Sequence, residues 1–217
     1  MVSLSRRTAE GVLETRQAIA SAAERLFAEH GVAAVSNRQI SDAAGQGNTA
    51  AVGYHFGTKA ELVRAIVRKH TQPAEQIRQR MLAEIGDSDD LRDWVACLVR
   101  PYPEHLAALG TPSWYARCAA QLMADPQLRP VFADEALARE SLRQTRDGLF
   151  RCLPPLPSDV QLARSDMIAD LIVLTCARRE RALAEGTTTL HRSWEHTAIE
   201  LTDAIVGLLL GPVTPHS

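Results

Sequence analysis

Asn48 and Thr49 sit just ahead of Tyr54, His55 and Lys59, a spacing that brings short polar groups, an aromatic hydroxyl, an imidazole and an ammonium into one small region. Side chains of this kind suit contacts to duplex nucleic acid. Asn48 and Thr49 can donate or accept at base edges, although neither has the fork with which arginine reads guanine. Ala50, Ala51 and Val52 are apolar and suit thymine methyls. Tyr54, His55 and Lys59 suit phosphate oxygens, and Arg38 and Gln39 add two more polar groups a short way upstream. Phosphate contacts set register and affinity, whereas base contacts set sequence preference. Each residue also has a plainer duty: Asn48 as a helix cap, His55 and Phe56 as parts of a small core. The set carries the reading, not any single member.

Other chemistry is poorly represented. No Ser/His/Asp arrangement, paired carboxylates, phosphate loop or metal-ligand spacing stands out, so an enzyme is not expected and no cofactor is implied. Cys97, Cys118, Cys152 and Cys176 lie far apart without a Cys-x-x-Cys pair, and read as small buried apolar residues in a reducing compartment. A structural zinc site would need closer Cys/His spacing.

The elements that position the polar set can be read locally. Ser36 and Gln39 have capping-box spacing and predict a helix that buries Ile40, Ala43 and Ala44 and stops near Gly45. Gly45, Gly47 and Asn48 form the turn. Asn48 then caps a second helix from Thr49 to about Phe56. Thr58 and Glu61 repeat the capping-box spacing and start another helix. Two short helices joined by a tight turn make a helix-turn-helix, whose second helix can enter a major groove. Upstream, Ile19, Ala22, Ala23, Leu26 and Phe27 share one helical face from about Thr15 to His30, closed by Gly31.

The segments RQAIASAAERLFAEHG, QISDAAG and YHFGTKAEL, in that order, resemble the tetracycline-repressor (TetR) family of bacterial transcription regulators over about residues 15–70. The resemblance implies an all-α chain, with an N-terminal three-helix helix-turn-helix DNA-binding domain and a larger helical ligand-binding and dimerisation domain. It assigns base contacts to residues 48–52 and phosphate contacts to Tyr54, His55 and Lys59. The helix after Thr58 becomes the expected transmission element. Two departures stand out: Gln46 replaces a small apolar residue after Ala44-Gly45, and Gly53 stands where many members carry a groove aromatic.

Residues 1–14 read as a flexible tail in which Arg6 and Arg7 are solvated or reach DNA. The three-helix domain spans 15–70 and the body 71–217. Pro73 marks a helix start or boundary, with Ala74 to Ile85 helical. Further helices are predicted over Leu91–Val99, Glu104–Leu109, Ser113–Ala124 and, as one long unit, Val131–Cys152, which Gly148 weakens near its end. Pro154, Pro155 and Pro157 form a stiff connection. Ser158 or Asp159 caps a helix to about Glu185, and the last helix spans about Leu190–Leu210. Both final helices carry apolar stripes wider than one intramolecular contact needs, which points to a homodimer seam of four helices.

Family members usually bind a small effector in the body and then release DNA. Candidate pocket residues are Trp114, Cys118, Phe132, Met167 and Leu171 for walls, with Arg117 and Gln121 as polar anchors; Met123 and His105 are further candidates. Ordinary core is the competing reading for each wall residue. The chain has 217 residues and a net charge of −2. Residues 1–70 carry nine Lys/Arg against six Asp/Glu, and the rest carry fifteen against twenty. A basic head on an acidic body fits separate DNA-binding and regulatory ends, and points away from a strongly anionic effector. No apolar run is long enough to span a bilayer, and the polar N-terminus is no secretory signal, so a cytosolic protein is expected. The leading reading is a homodimeric, ligand-responsive regulator, more readily a repressor, acting on a palindromic double-stranded operator. The alternatives are an architectural DNA-binding protein without an effector, and a ligand-binding module that has lost DNA binding.

Overall fold

A computed structural model describes residues 2–189 and 192–214, with side chains from Gly11 onward. The described residues form helices and connections, with no β-strand among them. The N-terminal head contains α1 (Val2–His30), α2 (Asn37–Ala43), α3 (Ala51–Phe56) and the first turns of α4 (Lys59–Ile85). The body adds α5 (Leu91–Val99), α6 (Pro101–Leu109), α7 (Tyr115–Ala124), α8 (Arg129–Leu137), α9 (Glu140–Arg151), α10 (Ser158–Ala184) and α11 (Trp194–Leu210).

The local starts follow the sequence closely. Ser36 and Gln39 close a complete capping box at α2. Thr58 accepts the Glu61 N–H at the start of α4, and Asp90 accepts the Arg92 N–H at α5. Gly31, Gly45 and Gly57 take positive φ angles of 82°, 69° and 72°, and so end α1, the α2 turn and α3 where a side chain would be strained.

Several boundaries differ from the sequence reading. Helix α1 begins at Val2, so the segment expected to be a tail is helical backbone continuous with the head. Helix α4 runs unbroken through Pro73 to Ile85. A mid-helix proline removes one hydrogen bond and is unfavourable by about 3 kcal/mol. Burial of His70, Ala74, Arg78 and Leu82 along the same face holds the helix together across it. The domain boundary drawn after residue 70 therefore falls inside a helix, and the buried apolar core is continuous from Ile19 in the head to Leu209 in the body.

Helix α6 starts at Pro101 rather than Glu104, because proline is well suited to the first helical position. The expected long helix over Val131–Cys152 is instead α8 and α9, split at Ala138 and an extended Arg139 (φ −85°, ψ 136°). The break turns α9 so that Ser141, Thr145, Gly148 and Leu149 are buried. Neither Ser158 nor Asp159 caps α10, whose N-cap is Pro157. Helix α11 starts at Trp194 behind Ser193, which accepts the His196 N–H; the expected start at Leu190 lies outside the described residues.

Candidate nucleic-acid interface and effector cavity

The polar set gathers on the α2–turn–α3 surface. Helix α3 is shorter than expected. Its N-cap is Ala50, while the Asn48 side-chain oxygen accepts the Ala50 N–H at 2.9 Å and shapes the turn before it. Asn48, Thr49 and Ala50 are exposed. Val52 is 1% exposed and Ala51 is buried beside it. A six-residue helix is held to the head only by its inner face, and Ala51, Val52 and Phe56 are that face. Val52 is therefore closed to a thymine methyl, and of the three apolar residues Ala50 is the exposed one.

Tyr54 is 83% exposed, a large aromatic presented to solvent with His55 edge-on to it at 5.0 Å. Arg16 on α1 donates to the His55 carbonyl and lies 4.4 Å from the centre of the Phe56 ring. This clamps the C-terminal end of α3. Arg38 is exposed and lies 3.8 Å from Asp42. Gln39 is exposed but committed: its side-chain oxygen accepts from both the backbone and the hydroxyl of Ser36.

Lys59 differs most from its expected role. Its Nζ donates to the carbonyls of Val32 and Val35 at 2.8 and 3.0 Å, and burial lowers its pKa. It braces the loop between α1 and α2 against the start of α4, with two of its three donors engaged. Gln46 folds back onto the Ala44 carbonyl at 3.2 Å. Gly53 is exposed, and a Cβ there would meet nothing within 4 Å.

The body encloses a cavity of about 540 Å³ between α4, α8, α9 and α10. Among the expected wall residues, Phe132 and Met123 line it. Arg117, Gln121, Met167 and Leu171 instead line an open groove between α7 and α10. Cys118 is fully buried in the core, and Trp114, half-buried at the start of α7, borders neither space. The facing of α7 separates the two sets. Helix α7 turns Tyr115, Cys118, Ala119 and Leu122 inward, leaving Arg117 and Gln121 at its edge. Arg117 there pairs with the buried Glu180 at 3.2 Å.

Glu180 does more than pair. Its carboxylate accepts the backbone N–H groups of Ala116 and Arg117 and the Ser113 hydroxyl, at 3.2, 2.9 and 2.8 Å. A side chain from α10 thus caps the N-terminus of α7, where unpaired N–H groups favour negative charge.

A buried polar chain leads from the cavity to the head. His70 and Tyr115 line the cavity, and their rings stack at 3.7 Å. His70 Nε2 lies 2.8 Å from Glu24 Oε2 on α1, and His70 Nδ1 lies 2.8 Å from His105 Nε2 on α6. Lys69 reaches the same Glu24 oxygen at 3.1 Å. Burial alone would raise the Glu24 carboxyl, but the hydrogen bonds and charges of His70 and Lys69 outweigh it and hold the pKa below the usual value. Burial, then the charge of His70, pushes His105 down to about 4. No sequence pattern announced this chain, because its members lie on four separate helices.

Residues 19–66, from α1 into α4, match the family described as bacterial regulatory proteins, tetR family. Over those residues the chain carries the TetR-family pattern. It is similar to the HTH-type transcriptional regulator TtgR of Pseudomonas putida, with 37% identity over 93 residues, covering 43% of this chain. The match spans 41% of TtgR's own length. It is also similar to the HTH-type transcriptional repressor AcnR of Corynebacterium efficiens, with 25% identity over 146 residues, 64% of this chain and 68% of that protein. A solved TetR-family regulator, PfmR from Thermus thermophilus, is 18% identical and superposes with a TM-score of 0.47, covering 92% of this chain and 97% of that one.

The TetR-family match covers the head, so the family's helix-turn-helix corresponds to α2 and α3. The cavity, the Glu180 cap and most of α4 lie beyond the matched residues. Among the described residues no cluster of His, Cys, Asp and Glu could hold a metal ion, and no helix is long and apolar enough to cross a membrane.

Proposed function

We propose that this TetR-family chain is a transcriptional repressor that binds a palindromic operator as a homodimer and releases it when a small effector occupies the cavity. The observation that carries the reading is the exposed face of α3. Asn48, Thr49 and Ala50 are exposed in the turn that leads into α3, and Tyr54 is exposed on the helix itself, which Val52, Phe56 and Arg16 hold from behind. An exposed tyrosine on a clamped short helix is suited to docking against a phosphate backbone. The repressor sense draws support from the similarity to AcnR, a transcriptional repressor.

The dimer would form through α10 and α11. Both helices expose large apolar side chains: Met167 and Leu174 on α10, and Ile199 and Leu210 on α11, all between 43% and 60% exposed. Such faces are suited to a four-helix seam between two copies.

Release would follow from the sharing of α4. The helix starts in the head at Lys59, passes the Glu24 contact at His70 and lines the cavity through Thr71, Ala74 and Arg78. An effector that fits one setting of α4 better than another shifts the population towards that setting, and with it the spacing of the two α3 helices. A coupling of about 1–3 kcal/mol changes operator affinity by about 5- to 150-fold.

Selection of binding sites from randomised duplex DNA tests the reading. A palindrome with half-sites about one helical turn apart supports it. Binding without sequence preference would support an architectural role instead. No binding in the absence or presence of added ligands would support a module that has lost DNA binding.

A further inference from the structure

The cavity lining is far more cationic than the acidic body around it. It includes Arg78, Arg129, Arg139, Arg143, Arg146 and Arg164, against the single carboxylate of Asp166. Arg129 pairs with Asp166 at 3.4 Å, and Arg78 lies 3.6 Å from Glu75. Arg143 and Arg146 pair with Glu140 and Asp147, and their side chains are more than half exposed. The other two are different. Arg164 is buried, and its guanidinium donates to the carbonyls of Leu209 and Gly211, both at 2.6 Å, with no carboxylate partner among the described residues. Arg139 shares Glu135 with Arg68, which already holds that carboxylate with two hydrogen bonds at 2.9 and 2.8 Å.

Two buried donors on this lining have no hydrogen-bond partner among the described residues: Tyr102 Oη and Arg139 Nε. A buried polar group without a partner is unfavourable, and such groups are usually satisfied in the working state of a protein. Burial also keeps the Tyr102 phenol protonated, hence a donor. Around these donors the walls are apolar, with Phe132, Leu149, Ile168 and Ile172 among them. The volume suits a drug-sized guest.

We infer that the cavity takes an amphipathic organic anion, an apolar body bearing a carboxylate or similar acidic group, with acceptor oxygens for Tyr102 and Arg139. This deepens the effector reading above and rests on it only for the consequence at DNA. The overall acidity of residues 71–217 pointed the other way. Global charge misled because the acidic residues sit largely off the lining while six of the fifteen basic ones are on it.

The test uses the full chain and three ten-carbon probes: decanoate, decanol and decylamine, titrated calorimetrically at neutral pH. Decanoate should bind about tenfold or more tightly than either of the others, a difference of about 1.4 kcal/mol. Tyr102→Phe and Arg139→Gln should each weaken decanoate several-fold and leave decanol unchanged. Tyr102→Phe removes one oxygen only, so it serves even if the arginine variant fails to fold. Decylamine or decanol binding as tightly as decanoate would overturn the inference. So would equal losses for decanoate and decanol in Tyr102→Phe, or no binding by any of the three. The operator is assayed separately: decanoate bound in the cavity without operator release leaves the ligand class standing and counts against the effector reading alone.

Discussion

His70 Nε2 lies 2.8 Å from Glu24 Oε2, so a side chain that lines the cavity is tied directly to the first helix of the N-terminal head. Both residues are buried, at 2% and 5% exposure, where a lost partner is not replaced by water. The contact gives α4 a specific hold on α1 rather than a merely apolar one. In the Glu24→Gln variant the charge is gone and the shape kept. The ratio of operator affinities without and with a cavity ligand should then shrink towards one, by a coupling loss of about 1 kcal/mol. Fluorescence anisotropy on a labelled operator measures it, and an unchanged ratio would show that release does not pass through this pair.

The same cluster predicts a pH dependence. His105 is held down to about 4 in the folded chain, below its ordinary 6.5, by burial and the charge of His70. Below pH 6.5 the unfolded chain takes up a proton that folded His105 refuses. Its contribution to stability is therefore fully present above about 6.5 and declines as the pH falls towards 4. The depressed Glu24 carboxyl adds stability above its ordinary value of 4.5 that is lost only below it. Urea midpoints across pH 7.5 to 5 should fall in the parent, and fall less steeply in His105→Gln.

Gly148 meets Trp94 face-on. A Cβ at Gly148 would stand 2.3 Å from Cε3 of that indole, which is 1% exposed and fixed by its Nε1 donating to the Ser88 carbonyl at 2.8 Å. Gly148→Ala is thus expected to destabilise by about 1–3 kcal/mol through overpacking, despite a helix-propensity gain of about 1 kcal/mol. Gly53→Ala, where a Cβ meets nothing, should instead stabilise by about 0.5–1 kcal/mol. Thermal unfolding of the two variants separates these signs.

These two glycines show what the sequence could and could not disclose. Gly148 looked like a weak point in a helix and Gly53 like a missing aromatic, and only the structure shows that Gly148 makes room for a tryptophan. Features within a few residues were legible: the Ser36–Gln39 box, the Thr58 cap, and the glycines that end α1 and the α2 turn. The exposure of Asn48, Thr49, Ala50 and Tyr54 was legible too, whereas the burial of Ala51 and Val52 depends on how short α3 is, and Lys59 turns inward onto two carbonyls. The split at Arg139 carried no glycine or proline to mark it. The Glu180 cap of α7, the Glu24–His70–His105 chain and the arginine lining bring together residues far apart in the chain, and helical periodicity says which face is apolar without saying what it faces.

Lys59 illustrates the cost of reading a charge by type. Its Nζ holds two carbonyls, so Lys59→Ala should lower stability by about 1–2 kcal/mol as those acceptors lose their partner. Denaturant unfolding checks this. An unchanged midpoint with a salt slope of DNA binding lowered by about one unit would instead return Lys59 to the phosphate-contact role.

The account stands most directly on Tyr54, which is exposed and edge-on to His55, with no packing duty in the head. The decisive measurement is operator affinity of Tyr54→Ala against the parent, by anisotropy, with thermal midpoints taken in parallel. The account predicts a loss of about tenfold or more in affinity, about 1.4 kcal/mol, with an unchanged midpoint. Unchanged affinity in a fully folded Tyr54→Ala variant would contradict it and remove the outward face of α3 from the DNA interface.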